Sequence, residues 1–194
     1  MSDSSSEVFE LDLSSLLGDP ETKDFGKCLE ALDRISTQEE FNSFCQTACA
    51  RWEKTGLSDT EKFESDFQRK LQVLDTDPHV DRIIETAWGR VVVTNYVHPE
   101  VEKFLVVKEG SYLALEKHRE KNESLEVREG VGLLLSRSGS GPLCARRVAP
   151  GDTSSFAPGE EHCLIGLENL LIFERSTDPK GMDQDLIFIF EPNA

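Results

Sequence analysis

Basic residues are scarce in this sequence. It has 21 lysines and arginines against 37 aspartates and glutamates, which gives a formal net charge of −16 at pH 7. Such a chain repels the phosphates of nucleic acids and the headgroups of anionic membranes, and no basic stripe offsets this. Long apolar runs are missing too, since none approaches the ~20 residues that cross a bilayer. The acidic, polar opening MSDSSSEVFE is not typical of a targeting peptide. We therefore expect a cytoplasmic protein with neither nucleic acid nor membrane among its partners.

Paired cysteines are a second absence. The five cysteines are an odd set without CxxC spacing, so no disulfide scaffold is expected and a reducing compartment fits. Cys45 and Cys49 lie four residues apart in a segment with helical periodicity. Two thiolates at this spacing would suit a metal clip, but small buried side chains are the commoner use of such a pair. We interpret both as core residues.

Composition and periodicity divide the chain into three segments. Residues 1–18 form a flexible acidic tail, residues 19–86 a helical extension, and residues 87–194 a β-rich domain. A length of 194 residues with 38% hydrophobic residues allows one domain of ordinary size plus such an appendage.

Helix-start signals mark the extension. Thr37 with Glu40, and Ser58 with Glu61, each fit a capping box, in which side chains satisfy the free amides at the start of a helix. We expect three or four helices here, packed on the outside of the β-rich domain.

The pattern changes near Trp88, which we interpret as an apolar anchor between the helices and the β-rich domain. From there about nine short apolar runs, such as RVVVTNYV, KFLVVKEG and DLIFIFE, are separated by turn residues. Closely spaced strands of this kind indicate an antiparallel sandwich or barrel. The fold class is therefore mainly β with an N-terminal α-helical extension.

Four potential metal ligands fall on strand faces that point toward the interior. In SYLALEKH, residues two apart share a face, so Glu116 and His118 lie together with Tyr112. Glu123 shares its face with the apolar residues of its strand, where an unpaired carboxylate would be expensive. His162 is likewise in register with the apolar face of HCLIG. These two histidines and two glutamates can therefore converge inside one barrel.

The spacing of these residues resembles that of the cupin superfamily. The first cupin motif is a glycine, five residues, His-x-His, three or four residues, a glutamate, six residues and a glycine. The matching positions here are Gly110, Glu116, His118, Glu123 and Gly130. The second motif is a glycine, five residues, Pro-x-Gly, two residues, a histidine, three residues and an asparagine. Its matching positions are Gly151, Ala157, Gly159, His162 and Gly166. Two motifs in the right order imply a cupin fold, an antiparallel jelly-roll β-barrel.

Three positions depart from the cupin pattern. Glu116 stands where the first histidine belongs, Ala157 replaces the proline and Gly166 the asparagine. A carboxylate can replace an imidazole at ions such as Zn²⁺, Mn²⁺ or Fe²⁺. The resemblance therefore implies a divalent ion held by two glutamates and two histidines: Glu116, His118, Glu123 and His162.

Among cupins, the C-terminal domain of bifunctional mannose-6-phosphate isomerases is the most similar. Its Trp-Gly, its Lys-x-x-x-Val/Ile-x-x-Gly strand and its Leu-x-Leu-Gln-x-His segment resemble AWGRVVV, KFLVVKEG and LALEKHREKNE, over roughly residues 87–175. This likeness implies isomerisation of a sugar or sugar phosphate, with the ion polarising substrate oxygens. Lys121, which matches an arginine of that family, would position the phosphate. Tyr112 would lie against the sugar.

Two further functions stay open. The altered motif and the acidic extension also suit a non-catalytic module that binds a small molecule or another protein. Two histidines and one carboxylate facing open positions are also the minimum for a mononuclear iron oxygenase. Binding without turnover would identify the first function, and oxygen uptake with Fe²⁺ the second. Pairing through barrel edges would give a homodimer.

Overall fold

The structure is a computed structural model that describes residues 32, 34–52 and 82–193. These residues contain one α-helix, α1 (Gln38–Arg51), and eleven β-strands. The strands are β1 (Arg82–Thr86), β2 (Gly89–Val97), β3 (Glu100–Val107), β4 (Leu115–His118), β5 (Asn122–Glu129), β6 (Gly132–Arg137), β7 (Cys144–Val148), β8 (Thr153–Phe156), β9 (Glu161–Gly166), β10 (Leu170–Thr177) and β11 (Leu186–Phe190).

The strands form two antiparallel sheets that face each other. One sheet has the strand order β1-β2-β3-β10-β5-β8, and the other has the order β11-β4-β9-β6-β7. Within the described residues no strand pairs from one sheet to the other, so the sheets are not closed into the predicted barrel. The reason is that apolar side chains, rather than a continuous ring of backbone hydrogen bonds, join the two sheets. The domain is an open sandwich.

The space between the sheets is filled by alternate residues of the strands. Both sheets contribute buried aliphatic side chains, which include Leu105, Val107, Leu125, Leu134, Leu164 and Ile172. Beside this core, charged side chains from the same inward faces line a cavity of about 150 Å³.

Helix α1 covers the outer face of the five-stranded sheet. The amide of Glu40 donates a hydrogen bond to the Thr37 hydroxyl at 3.2 Å, and the amide of Thr37 donates to the Glu40 carboxylate at 3.1 Å. This confirms the first predicted capping box. Residues at helical spacing form the buried side of the helix: Phe41, Phe44, Cys45 and Ala48. This helix is too short and too polar to span a membrane.

Two side-chain hydrogen bonds fasten α1 to the sheet. The indole of Trp52 donates to the Glu168 carboxylate at 3.1 Å, and the hydroxyl of Tyr112 donates to the side-chain oxygen of Asn42 at 3.0 Å.

Burial raises the pKa of Cys49 to about 11, which disfavours the thiolate that a metal clip would need. The second predicted capping box, with the other predicted helices, lies outside the described residues.

The predicted start of the β-rich domain falls inside a hairpin. Strand β1 pairs with β2 with Thr86 opposite Gly89, so residues 82–86, assigned to the helical extension by sequence, belong to the six-stranded sheet. Gly89 has φ 149°, and a Cβ there would lie 1.8 Å from the Val106 carbonyl oxygen. Trp88 in the turn borders the cavity between the sheets. The tryptophan that fastens α1 to the five-stranded sheet is Trp52, and most of the extension that Trp88 is predicted to anchor lies outside the described residues.

Candidate metal centre

Three of the four predicted ligands come together in the five-stranded sheet. Glu116 on β4 lies directly opposite His162 on β9, and His118 follows on the same face of β4. One ligand atom of each of these residues lies within 4.8 Å of the others. At this spacing, small side-chain shifts would let a single ion contact all three.

The fourth predicted ligand reaches the group from the opposite sheet. Glu123 on β5 lies with Oε1 2.5 Å from His162 Nε2 and with Oε2 3.8 Å from His118 Nε2. The side chains of Glu123 and His118 are each 3% exposed, and that of His162 is 7% exposed. The sandwich thus brings two short segments of sequence together in one buried site.

The ring of His118 is oriented by an aspartate that follows β10. His118 Nδ1 lies 2.9 Å from Asp185 Oδ1, and Asp185 Oδ2 accepts hydrogen bonds from the amides of Glu120 and Lys121. A carboxylate at Nδ1 favours the tautomer that carries its proton there, which makes Nε2 the atom that can bind a metal. Lys121 Nζ lies 3.4 Å from this Nε2 and would have to give way to the ion. Asp185 therefore acts as a positioning residue.

Two buried lysines lie beside the candidate ligands. Lys121 Nζ is 2.5 Å from Glu123 Oε2, 2.7 Å from Glu174 Oε1 and 2.8 Å from Asp183 Oδ1. Lys103 Nζ is 2.5 Å from Asp183 Oδ2 and 3.3 Å from Glu174 Oε2. Burial works against both charges, but Glu174 and the neighbouring carboxylates raise the pKa of each lysine above its ordinary value. Both side chains are therefore ammonium ions at neutral pH.

The candidate ligands differ in their protonation. Burial raises the pKa of Glu116 to about 7; the His162 ring opposes this shift and the Glu123 carboxylate adds to it. Burial alone would lower the pKa of His162, but Glu123 and Glu116 raise it above its ordinary value. Burial also disfavours the Glu123 carboxylate, yet His162 and Lys121 hold the pKa of Glu123 well below its ordinary value. Glu116 and His162 therefore both keep their protons to a higher pH than usual, and a metal that binds them would release those protons.

The charge of the site suits a cation. When its carboxyl groups are ionised and both histidines are neutral, five carboxylates outnumber the two ammonium ions: Glu116, Glu123, Glu174, Asp183 and Asp185 against Lys103 and Lys121. The cluster then carries a net charge of −3, which a divalent ion would reduce to −1. Mixed imidazole and carboxylate donors fit Zn²⁺, Mn²⁺ and Fe²⁺. The residues present therefore fit the metal that the sequence implies.

The predicted substrate-binding residues have other places. Tyr112 packs edge-on against Phe41 of the helix, with ring centroids 5.6 Å apart, and is not among the cavity-lining residues. The reason is that Leu113 and Ala114, which precede β4, both face the cavity and so break the two-residue alternation. Lys121 does line the cavity, but it is 2% exposed and three carboxylates surround its ammonium group. Its charge is therefore already paired, and it is not a free cation that could position a phosphate as the resemblance implies.

Four residues of the site were missed by sequence reasoning. Lys103 and Glu174 are charged residues on the buried, mainly apolar faces of β3 and β10, and the alternation rule would have found them. Asp183 and Asp185 lie in and at the end of the β10–β11 loop, where no sequence pattern marks them.

Solved structures share this fold. CapF, the capsular polysaccharide assembling protein from Staphylococcus aureus, is 17% identical to this chain, with a TM-score of 0.51 over 60% of this chain and 34% of that chain. CapF with the inhibitor 3-isopropenyl-tropolone gives 15% identity and a TM-score of 0.50 over 56% of this chain and 34% of that chain. A variant of oxalate decarboxylase from Bacillus subtilis gives 19% identity and a TM-score of 0.48 over 56% of this chain and 30% of that chain.

The likeness to CapF supports the cupin-type fold that the two motifs predict, and it shows the fold alone. The chain spans about a third of the length of the CapF chains, 34%. No protein-family profile matches the sequence, and neither does any curated protein. The closer resemblance to mannose-6-phosphate isomerases remains a prediction.

Proposed function

We propose that this protein binds one divalent metal ion through Glu116, His118, Glu123 and His162. The observation that carries the proposal is the convergence of Glu116, His118 and His162, whose ligand atoms lie within 4.8 Å of one another. The excess of buried carboxylates and the Asp185 contact to His118 support it independently, because the first attracts a cation and the second presents Nε2 to it.

Glu123 is the ligand whose contacts must change on binding. Its Oε1 is 2.5 Å from His162 Nε2, and its Oε2 is 2.5 Å from Lys121 Nζ. The first contact joins two metal-ligating atoms, so an ion shared by Glu123 and His162 would replace it. Lys121 keeps Glu174 and Asp183 as partners when Glu123 turns to the ion. The rearrangement therefore leaves no buried charge unpaired.

The test is metal binding by the full chain after treatment with EDTA and dialysis. Isothermal titration with Zn²⁺, Mn²⁺ and, under nitrogen, Fe²⁺ should show one site per chain. His162→Ala should lose most of the affinity, and the matched change His98→Ala, in an exposed turn, should leave it unaltered. Equal affinity in the wild type and His162→Ala would place the metal elsewhere.

A second candidate function is isomerisation of a small sugar or sugar phosphate. It is favoured by Glu116, a cavity-lining carboxyl whose pKa of about 7 suits a group that takes up and returns a proton near neutral pH. A bound divalent ion would supply polarisation of the substrate carbonyl and hydroxyl oxygens. Glu116 would then carry the proton between neighbouring carbons, instead of serving as a permanent ligand.

Assays of aldose–ketose conversion would test this activity. Conversion should depend on added metal, and Glu116→Gln should abolish it while His118 and His162 still bind the ion. Metal-loaded protein that binds sugars without turnover would instead support the non-catalytic module. Oxygen uptake by the Fe²⁺ form would support the oxygenase.

A further inference from the structure

The two buried lysines are bridged by one carboxylate. Asp183 places Oδ2 2.5 Å from Lys103 Nζ and Oδ1 2.8 Å from Lys121 Nζ. Both lysines line the cavity and are at most 5% exposed. Their ammonium groups are therefore spaced to receive the two oxygens of a single carboxylate.

The three counter-ions of these lysines are not equivalent. Glu123 and Glu174 come from strands β5 and β10, and their side chains are each 3% exposed. Asp183 comes from the β10–β11 loop, and its side chain is 28% exposed. Of the counter-ions among the described residues, Asp183 is thus the one whose carboxylate can turn toward solvent, while Glu123 and Glu174 stay with the lysines.

The backbone of this loop is held independently of the Asp183 side chain. The side chain of Asp178 accepts hydrogen bonds from the amides of Lys180, Gly181 and Asp183. At the other end of the loop, the side chain of Asp185 accepts a hydrogen bond from the amide of Glu120. Asp183 has φ 59°, in the left-handed region. Rotation of the Asp183 side chain therefore moves its carboxylate from the lysines into solvent, and the backbone of the loop keeps its place.

We propose that Lys103 and Lys121 form a binding site for the carboxylate group of a small organic acid, and that Asp183 occupies this site in the free protein. An incoming carboxylate would take the same two positions, so the exchange leaves the charge of the cluster unchanged. A phosphate would add a further negative charge next to Glu123 and Glu174, which disfavours it. The cavity of about 150 Å³ accommodates a small acid such as acetate.

The site goes beyond the proposed metal function, since neither lysine nor Asp183 is a metal ligand, but Lys121 contacts the proposed ligand Glu123 at 2.5 Å. The experiment accordingly uses the metal-free, EDTA-treated full chain. Acetate is the probe, acetamide is its neutral counterpart, and inorganic phosphate is the competing anion. Binding is measured by titration followed by NMR, and folding of each variant is checked by circular dichroism.

Asp183→Asn should bind acetate at least about tenfold more tightly than the wild type, if the internal carboxylate occupies the lysine pair more than about nine-tenths of the time. Asparagine tolerates the left-handed backbone, so this variant should fold. Asp152→Asn, the same change in the turn before β8, should have no effect. Adding Lys103→Met to Asp183→Asn should abolish the gain.

The proposal is overturned if Asp183→Asn binds acetate no better than the wild type, or if acetamide binds equally well. Preferential binding of phosphate would also overturn it, since the ligand would then not be a carboxylate. If the Lys103→Met double variant does not fold, the comparison of Asp183→Asn with Asp152→Asn decides. Failure of metal binding with acetate binding retained would refute only the proposed metal function.

Discussion

Glu116 and His162 are direct partners in the β4–β9 ladder, although 45 residues separate them along the chain. A slip of one residue in this register would turn one of them to the opposite face of the sheet. That opposite face packs against helix α1, so a charged side chain would then be buried in the apolar core under the helix. The register that packs the helix therefore also assembles the candidate metal site.

Metal affinity should rise with pH through neutrality. Glu116, with a pKa of about 7, and His162, with a pKa above its ordinary value, must both lose protons before they can act as ligands. Titrations at pH 6, 7 and 8 should show increasing metal affinity. The number of protons released per bound ion should fall as the pH rises. An affinity independent of pH would mean that neither group ligates the ion.

Glu116 should also make the metal-free protein less stable as pH rises. Its carboxyl ionises near 4.5 when unfolded but at about 7 in the folded protein, so its ionisation disfavours the folded state. The contribution of this group is intact below pH 4.5 and is lost as the pH rises through 7. Urea unfolding of Glu116→Gln between pH 5 and 8 should show a smaller loss of stability than the wild type. Glu120→Gln, a change at a half-exposed residue in the neighbouring turn, should follow the wild type.

Asp185→Asn should weaken metal binding without removing a ligand. Loss of the carboxylate at His118 Nδ1 should lower metal affinity by about 10–100-fold, because the ring orientation and tautomer are no longer fixed. Titration with Zn²⁺ beside the His98→Ala control would measure this. If Asp185→Asn binds metal as the wild type does, Asp185 stabilises the backbone around Glu120 and Lys121 and does not orient His118 for the metal.

Tyr112→Phe should affect stability and not ligand binding. It removes the hydrogen bond to Asn42 at the helix–sheet interface, which should cost about 1 kcal/mol in urea unfolding. Affinities for metal and for acetate should be unchanged. A variant of normal stability that binds cavity ligands poorly would contradict the position of this side chain outside the cavity.

The cupin fold was predictable because glycine positions carry much of the motif. Four of its glycines have positive φ, between 76° and 94°: Gly110, Gly130, Gly151 and Gly159. At Gly130 a Cβ would lie 1.8 Å from the Asn169 carbonyl oxygen, so no other residue fits that turn. Such positions fix the turns between strands and are visible directly in a sequence. Whether the two sheets close into a barrel is not visible in the sequence, because closure depends on hydrogen bonds between strands far apart in the chain.

The candidate ligands and the buried charges Lys103 and Glu174 were predictable where strands are regular, and the charges that come from a loop were not. Glu116, His118 and Glu123 follow the two-residue alternation, whereas Tyr112 precedes β4 and escapes it. Asp183 and Asp185 reach the site from a loop, where side-chain direction has no period. The pairing of Lys121 with three carboxylates depends on contacts between both sheets and this loop, which spacing alone does not reveal.

The most direct test is the metal content of the full chain, purified without added metal or chelator, measured by inductively coupled plasma mass spectrometry. The protein should contain close to one equivalent of a single divalent transition metal. His162→Ala should contain much less, and His98→Ala as much as the wild type. Wild-type protein that is free of metal and takes up none of Zn²⁺, Mn²⁺ or Fe²⁺ would contradict the account.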